Sequence, residues 1–227
     1  MTPLPLTYSQ RVQYFTEQVT VYPVSCEKLA CGRTDLEWLT GVLAGGAKIV
    51  QLRDKTSDDR TLLAKAKDFR KRTAEAGALF IVNNRLDIAL LAGADGLHLG
   101  NQDIPAQEAR RVAPDLLIGI SANTQKEAAA AQENGASYYN IGPLYATTTK
   151  TGLHTFIGPQ AIATYSAHSD LPFTVMGGIK KEHIAELTAL GARRLAVVTA
   201  LTAAPDIGQE TRFWHEAILR GLKEDKK

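Results

Sequence analysis

Between residues 19 and 198 the chain carries eight short runs rich in valine, isoleucine and leucine, at 19–24, 48–52, 79–82, 96–99, 117–121, 138–141, 173–176 and 195–198. Helix-patterned stretches, among them 61–76, 106–112, 124–134 and 183–190, lie between them. Apolar runs without strict alternation are what parallel strands buried on both faces require. Each run is followed by a helix or by a segment long enough to hold one, and right-handed crossovers would join successive strands. Eight such units are the count of a (β/α)8, or TIM, barrel, so the fold class is read as α/β, with a single barrel domain over residues 1–227. An open, doubly wound sheet is the alternative. Against it, no G-x-G-x-x-G follows the first run, and polar residues recur at the C-terminal ends of many runs.

The punctuation repeats with the strands: Gly45-Gly46-Ala47, Gly77-Ala78, Gly93-Ala94, Gly135-Ala136 and Gly191-Ala192 each precede a run. Glycine after a helix predicts a left-handed cap that turns the chain into the next strand. Residues 1–18 read as a peripheral N-terminal segment and 223–227 as a charged, solvated tail.

Composition narrows the function classes. The 26 basic and 24 acidic side chains leave a net charge of +2, so no single-sign field supports binding to nucleic acid or to a membrane surface. No apolar run approaches the roughly 18 residues of a membrane span, and the N-terminus has no signal-like segment, so a soluble, cytoplasmic chain is expected. Cys26 and Cys31 are too few for a disulfide framework or a four-ligand zinc site.

In a parallel barrel the chemistry sits at the C-terminal strand ends and in the loops that follow them. The second strand ends Gln51-Leu52-Arg53-Asp54-Lys55. Alternation puts Gln51, Arg53 and Lys55 on one side, where two cations beside an amide suit a diphosphate and a polar ring. The plainer reading is a solvated loop with an Arg53–Asp54 surface pair. After the third strand, Asn83 and Asn84 could ligate a cation, bind phosphate or cap the next helix. The fourth strand carries His98 between leucines, a position where histidine is more often a satisfied core residue, but Gly100 and Asp103 follow at once. Asp103 is a hard oxygen donor of the kind magnesium takes alongside phosphate oxygens. Ser121, at the end of the fifth strand, could hydrogen-bond a substrate; no G-x-S-x-G surrounds it, which excludes a serine hydrolase elbow.

The loop after the sixth strand reads Gly142-Pro143-Leu144-Tyr145-Ala146-Thr147-Thr148-Thr149-Lys150-Thr151-Gly152. Hydroxyls, backbone N–H groups and one ammonium match phosphate oxygens, although this is not a Walker loop. Gly177-Gly178 after the seventh strand, and Val198-Thr199 after the eighth, fall where barrels usually hold phosphate. Two anionic groups in one pocket are therefore expected.

Taken in order, Gln51-Leu52-Arg53-Asp54-Lys55, Asp95-Gly96-Leu97-His98-Leu99-Gly100, Gly142-Pro143-Leu144-Tyr145 with its threonine–lysine tail, and Gly177-Gly178-Ile179 resemble the thiamine-phosphate synthase family over about residues 48–200. The resemblance implies a (β/α)8 transferase of thiamine biosynthesis. It would join 4-amino-2-methyl-5-(diphosphooxymethyl)pyrimidine to 4-methyl-5-(2-phosphoethyl)thiazole, or to its 2-carboxy form, giving thiamine phosphate and diphosphate with the help of Mg2+. It would place Gln51, Leu52, Arg53, Asp54, Lys55, Asn83, His98, Ser121 and Lys150 about the pyrimidine diphosphate, with Arg53, Lys55, Ser121 and Lys150 in the catalytic role. Thr147, Thr148, Thr149, Gly178, Val198 and Thr199 would hold the thiazole phosphate, and Asn84 and Asp103 the metal. The family usually reads Asn-Asp where this chain has Asn83-Asn84, so one charged ligand is replaced by a neutral amide and a weaker magnesium site is implied. Its partners would be small phosphorylated molecules, and a homo-oligomer is compatible with the sequence.

Two rivals carry different chemistry. A thiazole tautomerase of the same group would use a histidine in the loop after the fifth strand, where this chain has Asn123, and an amide does not shuttle a proton near neutral pH. A non-catalytic phosphate-ligand binder would have lost turnover with the change at Asn84.

Overall fold

A computed structural model describes residues 6–147 and 155–224. Eight parallel strands, β1 Val21–Pro23, β2 Ile49–Leu52, β3 Leu79–Asn83, β4 Gly96–Leu99, β5 Leu117–Ala122, β6 Tyr138–Ile141, β7 Phe173–Val175 and β8 Leu195–Val197, alternate with helices. The sheet order is β1-β8-β7-β6-β5-β4-β3-β2. The ring is closed between its two ends by a parallel bridge, Val24 to Gln51, and by the Ser25 N–H donating to the Gln51 carbonyl at 2.9 Å. The (β/α)8 architecture read from the eight runs is therefore present, each strand within a residue or two of its expected span.

Alternation along these strands separates two apolar populations. Val50, Leu52, Phe80, Val82, Leu97, Ile118, Tyr139 and Ile141 pack outward into one cluster with helix residues such as Trp38, Phe69, Leu187 and Trp214. Ile49, Leu79, Ile81, Leu117, Tyr138 and Ala196 form a second cluster inside the ring. The inner space is tight: a Cβ on Gly119 would lie 2.1 Å from Tyr138 Cζ, so β5 gives up a side chain to admit the tyrosine ring. The caps behave as expected. Gly46, Gly77, Gly93, Gly135 and Gly191 all have positive φ, and Gly77 ends α3 (Asp59–Ala76) in the left-handed region.

The segment 1–18, read as peripheral, differs from that reading. Its described part holds α1 (Tyr8–Gln18), started by a capping box between Thr7 and Gln10. Phe15 is 1% exposed, belongs to the inner cluster and lies 4.5 Å from the Tyr138 ring centroid, so α1 plugs the N-terminal end of the barrel. Long-range polar contacts hold it there. The Arg194 guanidinium donates to the Phe15 and Thr16 carbonyls at 2.9 and 2.7 Å, Tyr14 donates to the Gly77 carbonyl at 2.6 Å, and Arg11 pairs with the buried Asp95. At the other end of the chain the C-terminal helix, Ile207–Glu224, extends through Lys223 and Glu224, so this part of the charged tail is helical. Phe15→Ala is expected to cost about 3–5 kcal/mol, the range for emptying a buried aromatic site; a denaturant titration showing less than about 1 kcal/mol would return α1 to the periphery.

Candidate active site

Polarity changes along the inside of the ring. At the strands' N-terminal ends the inward side chains are apolar; toward the C-terminal ends they are Gln51, Asn83, His98, Ser121 and Asn140, and these line a cavity of about 390 Å3. Gln51, Arg53 and Lys55 all reach this cavity, as alternation predicts. The Arg53 backbone N–H donates to Ser25 Oγ at 3.0 Å and its guanidinium approaches Cys26 Sγ at 3.7 Å, which ties the end of β2 to the loop after β1. Leu52 and Asp54 face the other way. Leu52 packs in the outer cluster, and the Asp54 carboxylate accepts from the Thr56 and Ser57 N–H groups, from Ser57 Oγ at 2.6 Å and from Lys65 Nζ at 2.7 Å. Burial works to raise the Asp54 pKa, but these donors outweigh it and hold the group well below the usual carboxylate range. Lys65 also binds Asp35 and Glu27 at 2.7 and 2.9 Å, so it clamps the loop bearing Asp54 to α2 (Asp35–Ala44). Asp54 shapes the loop that presents Arg53 and Lys55, and in place of the Arg53–Asp54 surface pair of the plainer reading it is held by the Lys65 clamp.

Asn84 adopts a left-handed backbone, φ +66°, immediately after β3, and neither asparagine caps α4 (Leu86–Leu91). Its side chain bridges two charges: the Oδ1 accepts from Lys55 Nζ, and the Nδ2 donates to Asp103 Oδ2. The Gly100 N–H donates to the same Asp103 oxygen at 2.6 Å. Asp103 and Asn84 are thus adjacent: the carboxylate is a hard donor that suits magnesium when phosphate oxygens and water complete its shell, whereas the amide oxygen of Asn84 is turned to Lys55 and joins that shell only if the amide turns over. No cluster of three or more histidine, cysteine or acidic side chains able to hold a metal occurs among the described residues.

His98 lies over the inner cluster, its Nδ1 3.3 Å from Tyr138 Oη and its Nε2 3.3 Å from Ser121 Oγ. Burial pushes its pKa down to about 4 against a weaker upward pull from Asp103, so the ring is neutral near pH 7. Across the cavity, Leu144 and Tyr145 donate their N–H groups to the Met176 and Gly177 carbonyls at 2.9 and 3.0 Å. The Tyr145 ring stacks on His183 at 3.9 Å and its hydroxyl donates to Glu186 at 2.9 Å, which fixes the base of the loop bearing Thr147. A Cβ on Gly178 would lie 2.3 Å from the Ala146 carbonyl oxygen, so only glycine admits this backbone contact. Thr147, Gly178, Val198 and Thr199 line this side of the cavity. Thr148, Thr149 and Lys150 lie outside the described residues.

Asn140 was missed by the sequence reading. Its Oδ1 accepts from the Thr174 hydroxyl at 2.8 Å while the residue lines the cavity. The signal was available, since Asn140 stands two residues beyond the inward Tyr138 and is polar in an otherwise apolar run. Asn123, noted only as the absence of a histidine, also lines the cavity, and the Thr124 side chain beside it caps the helix Gln125–Ala130.

The charged lining residues among those described are Arg53 and Lys55, both cations, and the opposite wall sets threonines and bare glycine backbone among apolar side chains such as Met176 and Ile179. Fold and cavity together define a (β/α)8 barrel with an anion-suited site at its C-terminal mouth. The thiamine monophosphate synthase family profile matches residues 21–201. A thiamine-phosphate synthase of Moorella thermoacetica is 39% identical over 204 residues, covering 89% of this chain and 97% of that protein. One from Methanospirillum hungatei is 39% identical over 200 residues, covering 88% and 97%. The structure of a thiamine phosphate pyrophosphorylase from Pyrococcus furiosus superposes with a TM-score of 0.85 at 29% identity, over 92% of this chain and 99% of that one. The chain belongs to the thiamine monophosphate synthase family.

The neutral His98 has a stability consequence. The unfolded chain binds the proton near pH 6.5 and the folded chain near pH 4, so folding stability is full above about 6.5 and falls as the pH drops toward 4. At 1.36 kcal/mol per unit this reaches about 3 kcal/mol. Denaturant unfolding in metal-free buffer from pH 7 to 4 should show that slope flattened in His98→Gln; an unaltered slope would remove His98 as its source.

Proposed function

We propose that this chain is a thiamine-phosphate synthase, a single-domain barrel that joins the pyrimidine diphosphate to the thiazole phosphate. The observation that carries the reading is the convergence of Gln51, Arg53 and Lys55 with His98 and Ser121 on one cavity, in a chain of this family. Gln51 and Ser121, with His98 behind them, would receive the pyrimidine ring, and Arg53, Lys55, Asn83 and Lys150 its diphosphate. Thr147, Thr148, Thr149, Gly178, Val198 and Thr199 would hold the thiazole phosphate across the cavity.

The chemistry needs no strong base. The bond between the pyrimidine methylene carbon and the diphosphate oxygen breaks with its electron pair leaving on diphosphate, and the thiazole nitrogen lone pair closes the new C–N bond to the methylene. Arg53, Lys55 and Lys150 stabilise the departing charge, while the two walls hold the thiazole in line, so positioning and electrostatics lower the barrier. Asp103 and Asn84 would hold Mg2+, which when bound neutralises diphosphate charge. Placement in the cytoplasm belongs to the same reading, and no helix among the described residues is long and apolar enough to cross a membrane.

Purified protein given both substrates and magnesium should release diphosphate and form thiamine phosphate, with neither substrate sufficient alone; binding without turnover would favour the non-catalytic binder. Arg53→Ala and Lys150→Ala are each expected to lower turnover by about 10²-fold or more with the fold intact, and near-normal rates would remove the residue from the mechanism. Asn84→Asp restores a second carboxylate and should lower the magnesium concentration at half-maximal rate, with tighter magnesium binding by calorimetry in the substrate-free protein. Unchanged values in both measurements would sever Asn84 from the metal.

A further inference from the structure

Beneath the cavity a continuous hydrogen-bonded chain crosses the barrel interior from β2 to β5. Gln51 Nε2 donates to Tyr22 Oη at 2.9 Å, Tyr22 and Tyr138 share a hydrogen bond at 3.0 Å, and His98 links Tyr138 to Ser121 with 3.3 Å on each side. Tyr22 and Tyr138 are 1% and 0% exposed, and only the ends of the chain, with His98, line the cavity.

Satisfying each buried hydrogen gives this chain one direction. With the Gln51 amide donating to Tyr22, the Tyr22 hydrogen has Tyr138 as its acceptor. Tyr138 then donates to His98 Nδ1. A neutral imidazole accepting at Nδ1 carries its proton on Nε2 and donates to Ser121 Oγ, which leaves the Ser121 hydrogen for the cavity. Burial pushes both phenols far above their ordinary pKa, so both keep the hydrogen this ordering requires. The opposite order is reached only if the Gln51 amide turns over and every link reverses with it. The two ends are therefore coupled, one accepting when the other donates.

We infer that Tyr22 and Tyr138 are positioning residues that set the hydrogen-bond polarity of the ring subsite, so that Gln51 presents an acceptor and Ser121 a donor to the ligand. This rests on the synthase reading for the identity of the ring. A 4-aminopyrimidine offers what that polarity asks for, amino hydrogens toward Gln51 and a ring nitrogen toward Ser121. A 4-oxo ring sets a carbonyl against the Gln51 carbonyl and is accepted only by reversing the whole chain. With Tyr22 or Tyr138 changed to phenylalanine the chain is cut and the Gln51 amide turns independently of Ser121.

The test measures the Kd of the 4-amino and 4-oxo pyrimidine diphosphates by calorimetry, and the KM of the thiazole phosphate, for the native protein and for Tyr22→Phe and Tyr138→Phe. The native protein should favour the amino ring by about 100-fold, and each variant should narrow that ratio by about tenfold or more, as a hydrogen-bond mismatch of this kind predicts. The KM for the thiazole phosphate should stay unchanged, which a loss of fold would not allow. An amino-to-oxo ratio preserved in either natively melting variant overturns the role of the chain and leaves the synthase reading standing. A native protein that binds neither ring overturns the synthase reading, and this inference falls with it.

Discussion

Closing eight parallel strands on themselves turns every second side chain toward one narrow axis, where each must fill the space or find a fixed partner. In this chain that space is graded. Its lower half is filled by Ile49, Leu79, Leu117 and Tyr138 and sealed from below by Phe15; its upper half holds amides, a hydroxyl and an imidazole. The lower packing makes the upper polarity tolerable, because residues such as Gln51 and His98 meet fixed partners rather than disordered water. The gap left by Gly119 lets Tyr138 fill the core with its ring and meet His98 with its hydroxyl, so one residue belongs to both halves.

Much of this was legible in the sequence because it depends on period. The eight strands follow from apolar runs, and the shared orientation of Gln51, Arg53 and Lys55 follows from counting by two. What escaped depends on contacts distant in sequence. The peripheral reading of 1–18 passed over the Thr7-x-x-Gln10 capping box that starts α1, and nothing local shows that Phe15 belongs under Tyr138 or that Arg194 receives the helix end. Asp54 looked like a partner for its neighbour Arg53, whereas its charge is taken by Lys65, in the second turn of the next helix. The left-handed turn at Asn84 had no signature beyond the tolerance of asparagine for that conformation.

Asn84 also shows how one amide alters the charge arrangement of a site. A carboxylate there would add a second negative charge beside Asp103; the amide instead passes a hydrogen bond from Lys55 on to Asp103 and leaves the two charges linked through a neutral group. The cationic character of the cavity is correspondingly stronger, with Arg53 and Lys55 opposed by fewer anions.

The bridge between Val24 and Gln51 is where the circle is completed, and Gln51 is at once the last rung of the ladder and part of the cavity wall. Folding and recognition therefore share a hinge. Any fluctuation that parts β1 from β2 unmakes the cavity by the same motion, and a molecule held by Gln51 would act as a latch across the seam of the barrel.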